Sequence, residues 1–246
     1  MTPLELYRSG ELRAAIKALG DELRSNPLDV RRRTFLFELL CFAGEYDRAE
    51  KQLNVLADSN SQALAGTLMY RSALHAERTR QEMFLKRDFP PAHADGGPVP
   101  GVGDGQVFAD LRDADSRVGA NIEVFIAGSY TWIPTVYMRR IEIEKPENLR
   151  DLLWARARIE TSPAFRLQDL GEVLIPVLAP LSWQNPDEAV QLGRLSVWEP
   201  TVADGSADEV LYGQRLMLVD GEEIPLLELR SIQWDAPAEE SQHAPA

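Results

Sequence analysis

The stretch at residues 31–56, RRRTFLFELLCFAGEYDRAEKQLNVL, decides the fold. Apolar residues recur every three or four positions on both sides of Gly44, which is the spacing of one buried helical face. They are Leu36, Leu39, Leu40 and Ala43 before the glycine, and Tyr46, Ala49, Leu53 and Leu56 after it. Glycine takes the left-handed conformation that ends a helix without strain. The stretch therefore predicts two helices joined by a tight turn at Gly44.

The same pattern occurs earlier in the chain at a constant offset of 34 residues. The matched pairs are Gly10 and Gly44, Leu12 and Tyr46, Ala15 and Ala49, and Leu19 and Leu53. A 34-residue period of helix–turn–helix units is the tetratricopeptide (TPR) signature. The alternative is an ordinary antiparallel helix pair, in which the match is chance. Four matched positions lead us to favour the repeat.

This pattern predicts that residues 1–88 form a TPR-like helical domain, with helices near 3–8, 11–25, 28–43, 46–58 and 61–86. Residues 89–106 are dense in proline and glycine, so we expect a linker there. Alternating glycines within it resemble a phosphate-binding loop. That loop needs a preceding strand and a following helix, and neither is evident, so we do not predict a phosphate site.

From residue 107 the apolar period shortens toward two, which is typical of strands. We predict strands at 121–126, 135–143, 171–178, 211–219 and 223–229, with 231–234 continuing the last one. Asp220-Gly221 is a strong hairpin signal, because both positions of this turn favour positive φ. Pro176 should restrict its strand to a sheet edge or a bulge. One helix is expected at 149–157.

The predicted fold class is therefore α+β, with TPR-like helical hairpins followed by a mostly antiparallel β domain with a helix at residues 107–234. Residues 235–246 have little to bury and should form a disordered tail. Fewer than three full repeats are visible, and isolated solenoids need about three. We therefore expect the β region to pack against the helices and cap them.

The charge of the chain is unevenly distributed. Residues 1–88 carry a formal net charge of +1 and residues 89–246 carry −14, which gives −13 overall. A strongly acidic second half argues against binding to nucleic acid or to an anionic membrane surface. No apolar run is long enough to cross a bilayer, and the first residues do not resemble a signal peptide. We therefore expect a cytoplasmic protein.

Few residues suggest chemistry. Cys41 is the only cysteine, so an intramolecular disulfide and a multi-cysteine metal site are excluded, and its place in an apolar helix favours packing. The histidines are widely separated, at positions 75, 93 and 243, and no serine lies in a nucleophile-elbow motif. Asp110, Asp113 and Asp115 could hold a hard cation. A metal-dependent hydrolase using these carboxylates is thus the alternative to a turn neutralised by nearby arginines.

Six segments carry a family resemblance: RTFLFE (33–38), LLCFAGEYDRA (39–49), IEVFIAGSYTWIP (122–134), LRDLLWARARI (149–159), GEVLIPVL (171–178) and LGRLSVW (192–198). In their number and order they resemble the ImpE/SciE family, also called TagJ, which are accessory proteins of type VI secretion systems. The resemblance covers about residues 14–234. It implies a non-enzymatic adaptor without cofactor or metal. It also implies two partners, a helix of the small sheath subunit TssB and the sheath-recycling ATPase ClpV.

Stacked helix pairs expose a concave groove in which a partner helix can lie. In the register of the repeat, Arg31, Thr34, Glu38 and Cys41 would face this groove. Arg33 adds positive charge at the start of the same helix, where arginine is unfavourable to the helix dipole. These five residues are the predicted partner-binding site.

Overall fold

Five α-helices form the N-terminal part of the protein, close to the positions that the periodicity predicts. The computed structural model describes residues 1–59, 63–91, 97–165, 170–200 and 209–235. The helices are α1 (Pro3–Ser9), α2 (Leu12–Ser25), α3 (Val30–Phe42), α4 (Tyr46–Ser59) and α5 (Ala63–Lys86). Thr2 and Glu5 form a capping box that starts α1. Asp29 caps α3 by accepting a hydrogen bond from the Arg32 amide at 2.9 Å.

The sequence repeat has a structural counterpart. Gly10 and Gly44 both take a left-handed conformation, with φ of 92° and 69°. The matched alanines and leucines that follow them, on α2 and α4, are buried: Ala15, Leu19, Ala49 and Leu53. The two copies therefore share their turn geometry and their buried face, while their classification as TPR units stays a prediction.

Thirteen strands and a short helix follow within the described residues. The strands are β1 (Gly101–Gly103), β2 (Gln106–Phe108), β3 (Leu111–Asp113), β4 (Asn121–Ile126), β5 (Ser129–Pro134), β6 (Met138–Ile143), β7 (Trp154–Thr161), β8 (Glu172–Pro176), β9 (Val197–Pro200), β10 (Glu209–Tyr212), β11 (Leu216–Val219), β12 (Glu222–Pro225) and β13 (Ser231–Trp234). The short helix is α6 (Glu188–Gln191). Every strand pair in the described residues is antiparallel. The α+β class is thus confirmed.

Three sheets arrange these strands. The largest has the order β2-β1-β13-β6-β7-β8-β4-β5, and the smaller ones have the orders β12-β11-β3 and β10-β9. The predicted hairpin at Asp220-Gly221 joins β11 to β12, and both turn residues have positive φ. Residues 231–234 do not continue that hairpin. They form β13 in the interior of the large sheet, between β1 and β6.

Several local predictions need correction. The predicted helix at 149–157 is wrong: a 3-10 turn at Leu149–Leu152 leads into β7. Its alternating residues explain the difference, because Ala155 and Ala157 are buried while Arg156 and Arg158 lie on the other face. The predicted strand at 211–219 is split between β10 and β11.

Two further expectations, which were based on proline and glycine content, concern β8 and the linker, and both differ from the structure. β8 lies inside the large sheet, and Pro176 ends it rather than placing it at an edge. The predicted linker at 89–106 contains β1 and the start of β2, joined by a turn at Asp104-Gly105 with positive φ at both residues. The predicted tail at 235–246 lies outside the described residues from 236 onward.

The helices and the large sheet share one hydrophobic core. Residues of α2 to α5 pack in one cluster with Phe125 of β4, Trp154 of β7 and Leu192. The turn between α3 and α4 is also covered, because a Cβ atom on Gly44 would lie only 2.4 Å from the Trp183 indole. The expectation that the β region packs against the helices is confirmed. Within the described residues, no helix has the length and apolarity of a membrane span.

A buried ionic cluster joins α5 to two sheets. Arg80 of α5 donates to both carboxylate oxygens of Glu123 on β4, at 2.7 and 3.1 Å. Arg215, just before β11, lies 3.3 Å from Glu123 and donates to Asp113 of β3. All four side chains are 2 % exposed or less.

The pKa values of the two carboxylates in this cluster are shifted in opposite directions. Burial would raise the pKa of Glu123, but Arg80 and Arg215 outweigh it and lower that pKa to about 2. For Asp113 burial prevails over Arg215 and raises the pKa to about 6. Because breaking a buried ion pair costs about 3–5 kcal/mol, the cluster fixes the helices against the sheet.

Candidate functional site

The five residues predicted to bind a partner do not share one open surface. Glu38 is 7 % exposed and Cys41 is 4 % exposed, so neither is available to a partner in the folded protein. Arg33 is held between the helices, donating to the Pro27 carbonyl at 2.6 Å and to Gln52 at 2.7 Å. Thr34 Oγ1 donates to the Val30 carbonyl. Arg31 is exposed.

The chain fills the predicted hollow itself, which is the physical reason for the correction at Glu38 and Cys41. Trp154 of β7 packs near Phe37 of α3, with ring centroids 6.4 Å apart, and its Nε1 donates to Glu77 of α5 at 2.9 Å. Cys41 and Trp154 line the same small cavity of about 20 Å3. The Cys41 thiol is unreactive, because burial and the charges of Glu77 and Glu38 raise its pKa.

Glu38 has a special environment in this filled region. Burial raises its pKa to about 7, although the Tyr70 hydroxyl donates to it at 3.3 Å and Arg150 lies nearby. The carboxyl group is therefore partly protonated at neutral pH. Glu38 therefore connects α3 to Tyr70 of α5 and to Arg150 in the turn before β7, and it does not face solvent.

An open cleft remains at one end of the helical part, and Arg31 lies in it. The cleft has a volume of about 690 Å3 and lies between α1, the start of α3 and the turn before β7. Its apolar residues are Leu4, Tyr7, Phe35, Pro146, Leu149 and Leu152, and its polar residues are Arg8, Arg31, Arg32, Glu147 and Asn148. Most of its exposed surface is apolar, and Leu4 is 45 % exposed.

The α1 wall of the cleft is fixed by the C-terminal part of the chain. Tyr7 packs edge-to-face on Phe35, with ring centroids 5.8 Å apart. Arg194 donates to the carbonyl oxygens of Tyr7 at 2.6 Å and Arg8 at 3.0 Å, and its guanidinium lies 4.9 Å from the Tyr7 ring centroid. A cation there satisfies carbonyls at the end of α1 and complements the helix dipole.

The opposite wall is fixed by a buried aspartate. Asp151, 2 % exposed, accepts hydrogen bonds from the backbone amides of Glu147 at 3.0 Å and Asn148 at 2.9 Å. These bonds and Arg150 outweigh the effect of burial and lower the pKa of Asp151. Both walls are thus held before any ligand arrives, which reduces the entropy lost on binding.

The alternative metal site is not assembled. The three carboxylates each face a different arginine, since Asp110 pairs with Arg112, Asp113 with Arg215 and Asp115 with Arg117. Across the described ranges, no three acidic, histidine or cysteine side chains are grouped as metal ligands would be. His75 lies exposed on α5, while His93 and His243 lie outside the described residues. The alternative of a hydrolase centred on these aspartates is therefore not supported.

Sequence reasoning identified Arg31 but missed the rest of the cleft. Tyr7 and Leu152 are separated by well over a hundred residues, and no local pattern pairs them. The one local signal was that Leu4 and Tyr7 lie on one face of α1, which is too short to bury them without another element.

Comparison with known proteins identifies the family and the fold of the chain. Residues 105–233 match a family model described as ImpE protein. The type VI secretion system accessory component TagJ of Pseudomonas aeruginosa is 31 % identical, with 94 % of this chain and 90 % of that protein covered. The crystal structure of protein VPA1032 from Vibrio parahaemolyticus has the same fold, with a TM-score of 0.82 and 21 % identity. That match covers 95 % of this chain and 97 % of the other.

Proposed function

The chain belongs to the ImpE family, and from this premise we propose that it is a cytoplasmic, non-enzymatic adaptor of a type VI secretion system. Its open cleft binds a helix of the small sheath subunit, TssB, and this contact links the sheath to the ClpV ATPase. The single observation that carries the proposal is the cleft itself, an apolar trough with two fixed walls beside α1 and α3.

The dimensions and chemistry of the cleft suit a helix. A volume of about 690 Å3 accommodates several side chains from one face of a helix. Tyr7, Phe35 and Leu152 offer an apolar floor on which residues spaced three or four apart can lie. The similar Pseudomonas protein is named as an accessory component of the secretion system, which supports protein partners within that machine.

A binding assay with one matched pair of variants tests the proposal. A fluorescein-labelled peptide of the N-terminal helix of the TssB encoded with this protein is titrated with the full chain, and anisotropy gives Kd. Leu4→Asp should weaken binding about 10- to 100-fold, because a leucine side chain buried in an interface contributes about 1.5–3 kcal/mol. Leu85→Asp introduces the same charge at a similarly exposed leucine on α5, outside the cleft.

The two variants separate a site effect from a charge effect. We expect Leu85→Asp to bind like the unmodified protein. Equal Kd values for Leu4→Asp and the unmodified protein would show that the cleft is not the TssB site.

The ClpV part of the proposal has its own test. The protein, TssB with its sheath partner, and ClpV are mixed and separated by size-exclusion chromatography. We expect one complex that contains all three, and we expect Leu4→Asp to be lost from it while Leu85→Asp is retained. ClpV that elutes apart from a stable adaptor–sheath complex would restrict the function to sheath binding.

A further inference from the structure

Two arginines of the cleft form no side-chain hydrogen bond or ion pair in the described part of the chain. Of the arginines in α1 to α5, eight donate hydrogen bonds or form ion pairs: Arg13, Arg24, Arg32, Arg33, Arg48, Arg71, Arg78 and Arg80. Arg8 and Arg31 do neither through their side chains, and both line the cleft. Among the arginines of these helices, the two without such contacts therefore both lie at the candidate site.

The side chains that line the cleft carry more positive than negative charge. Its charged residues are Arg8, Arg31, Arg32 and Glu147. Arg32 pairs with Glu22 and Asp29, which lie outside the lining. Glu147 lies 3.8 Å from Arg156, which is closer to Glu144 at 3.0 Å. The lining is thus richer in cations than in anions, although the chain as a whole carries −13.

The position of Arg31 is unfavourable to the stability of α3 unless a negatively charged ligand contacts the guanidinium. Arg31 lies in the first turn of α3, where the helix dipole disfavours a cation. A carboxylate placed between Arg31 and the apolar floor would offset that cost and accept charge-assisted hydrogen bonds from the guanidinium. Next to apolar surface such a contact is stronger than in open water.

We propose that the helix bound in the cleft is acidic and amphipathic, with carboxylates that reach Arg8 and Arg31 and an apolar face on Tyr7, Phe35 and Leu152. This inference rests on the proposed function of the cleft. It also contributes to selectivity, because residues 89–246 carry −14 and disfavour an acidic segment elsewhere on that part of the surface.

The test uses three designed helical peptides that share one leucine face and differ only in the residues that flank it. One carries glutamates, one glutamines and one lysines. We expect the full-length protein to bind them with affinities in the order glutamate, glutamine, lysine. The double variant Arg8→Glu/Arg31→Glu should reverse the order and weaken the glutamate peptide by about tenfold or more.

A control variant keeps the net charge equal. Arg24→Glu/Lys51→Glu changes two exposed cations outside the cleft and should preserve the original order. Thermal melts are recorded for every variant, and the affinities are compared at a temperature at which all of them are folded, which separates a loss of binding from a loss of folding.

The outcomes distinguish this inference from the function it rests on. If Leu4→Asp weakens all three peptides but Arg8→Glu/Arg31→Glu leaves their order unchanged, the charge requirement is refuted while the cleft remains the binding site. If Leu4→Asp weakens none of them, or if no peptide binds, both the inference and the cleft as a helix site are overturned.

Discussion

Replacing Glu123 by glutamine tests whether the buried ionic cluster fixes the helices to the sheet. The change keeps the size of the side chain and removes one charge that Arg80 and Arg215 share. The pKa of Glu123 falls from 4.5 to about 2 in the folded protein. That difference corresponds to about 3 kcal/mol in favour of the ionised, folded state. This value agrees in order of magnitude with the loss of stability of about 3–5 kcal/mol when one partner of a buried ion pair is removed.

We therefore expect Glu123→Gln to lower the free energy of unfolding by about 3 kcal/mol at pH 7, and the melting temperature by about 6–12 °C. Urea unfolding followed by tryptophan fluorescence measures the free energy, and thermal unfolding followed by circular dichroism measures the melting temperature. Because the folded pKa lies below the unfolded one, the difference between variant and unmodified protein should shrink as pH falls below about 4.5.

A matched control gives the refuting comparison. Glu142 pairs with Arg140 on the surface, and both side chains are nearly half exposed. Glu142→Gln should cost no more than about 1 kcal/mol. If Glu123→Gln is no more destabilising than Glu142→Gln, the cluster does not fasten the two parts of the protein.

Three further predictions concern single positions. Gly44→Ala should destabilise the protein by about 2–4 kcal/mol in urea unfolding, because the alanine is strained at positive φ and its Cβ overlaps Trp183. Glu38→Gln should stabilise the protein increasingly between pH 5 and 8, by about 3 kcal/mol at most, because the folded pKa of about 7 exceeds the ordinary 4.5 and ionisation opposes folding. Asp113→Asn should destabilise the protein less than Glu123→Gln does, because Arg215 keeps Glu123 as a partner and burial already raises the pKa of Asp113 to about 6. Saturating Mg²⁺, Ca²⁺ or Mn²⁺ should leave the melting temperature of the unmodified protein unchanged, because each of the three aspartates pairs with an arginine.

Each of these predictions has a comparison within the chain. Gly10→Ala occupies the matched turn, where the nearest atom to a Cβ is 3.6 Å away, so it should cost only the backbone term of about 1–2 kcal/mol. Equal losses of unfolding free energy in Gly44→Ala and Gly10→Ala would show that the overlap with Trp183 does not contribute. Glu172→Gln, on an exposed strand position, should show no rise in stability with pH. A rise in the melting temperature of the unmodified protein with any of the three cations would support a metal site at the three aspartates.

The helices were predictable from the sequence because their signals are local. The apolar spacing around Gly44, the capping box at Thr2 and the cap at Asp29 all act within a few residues. The strands were less predictable. In β7 the alternation of alanine and arginine competes with the high helix propensity of both residue types, and pairing with β6 and β8 decides the outcome.

The cleft and the ionic cluster were beyond sequence reasoning for a different reason. Arg80 looks like an ordinary surface residue of a charged helix, and only the folded chain brings Glu123 to it. Arg31 was recognised by its unfavourable helix position. Glu38 and Cys41 share its helical face, but the concave surface that they line is occupied by Trp154, a residue more than a hundred positions further along the chain.

The contact between Arg194 and the end of α1 has a consequence for the order of events during synthesis. Tyr7 and Arg8 are synthesised 187 and 186 residues before Arg194, whose guanidinium holds them in place. A nascent protein therefore lacks a finished cleft until Arg194 has been synthesised. Under the proposed function, chains that stop before Arg194 would not offer a complete cleft to a partner helix.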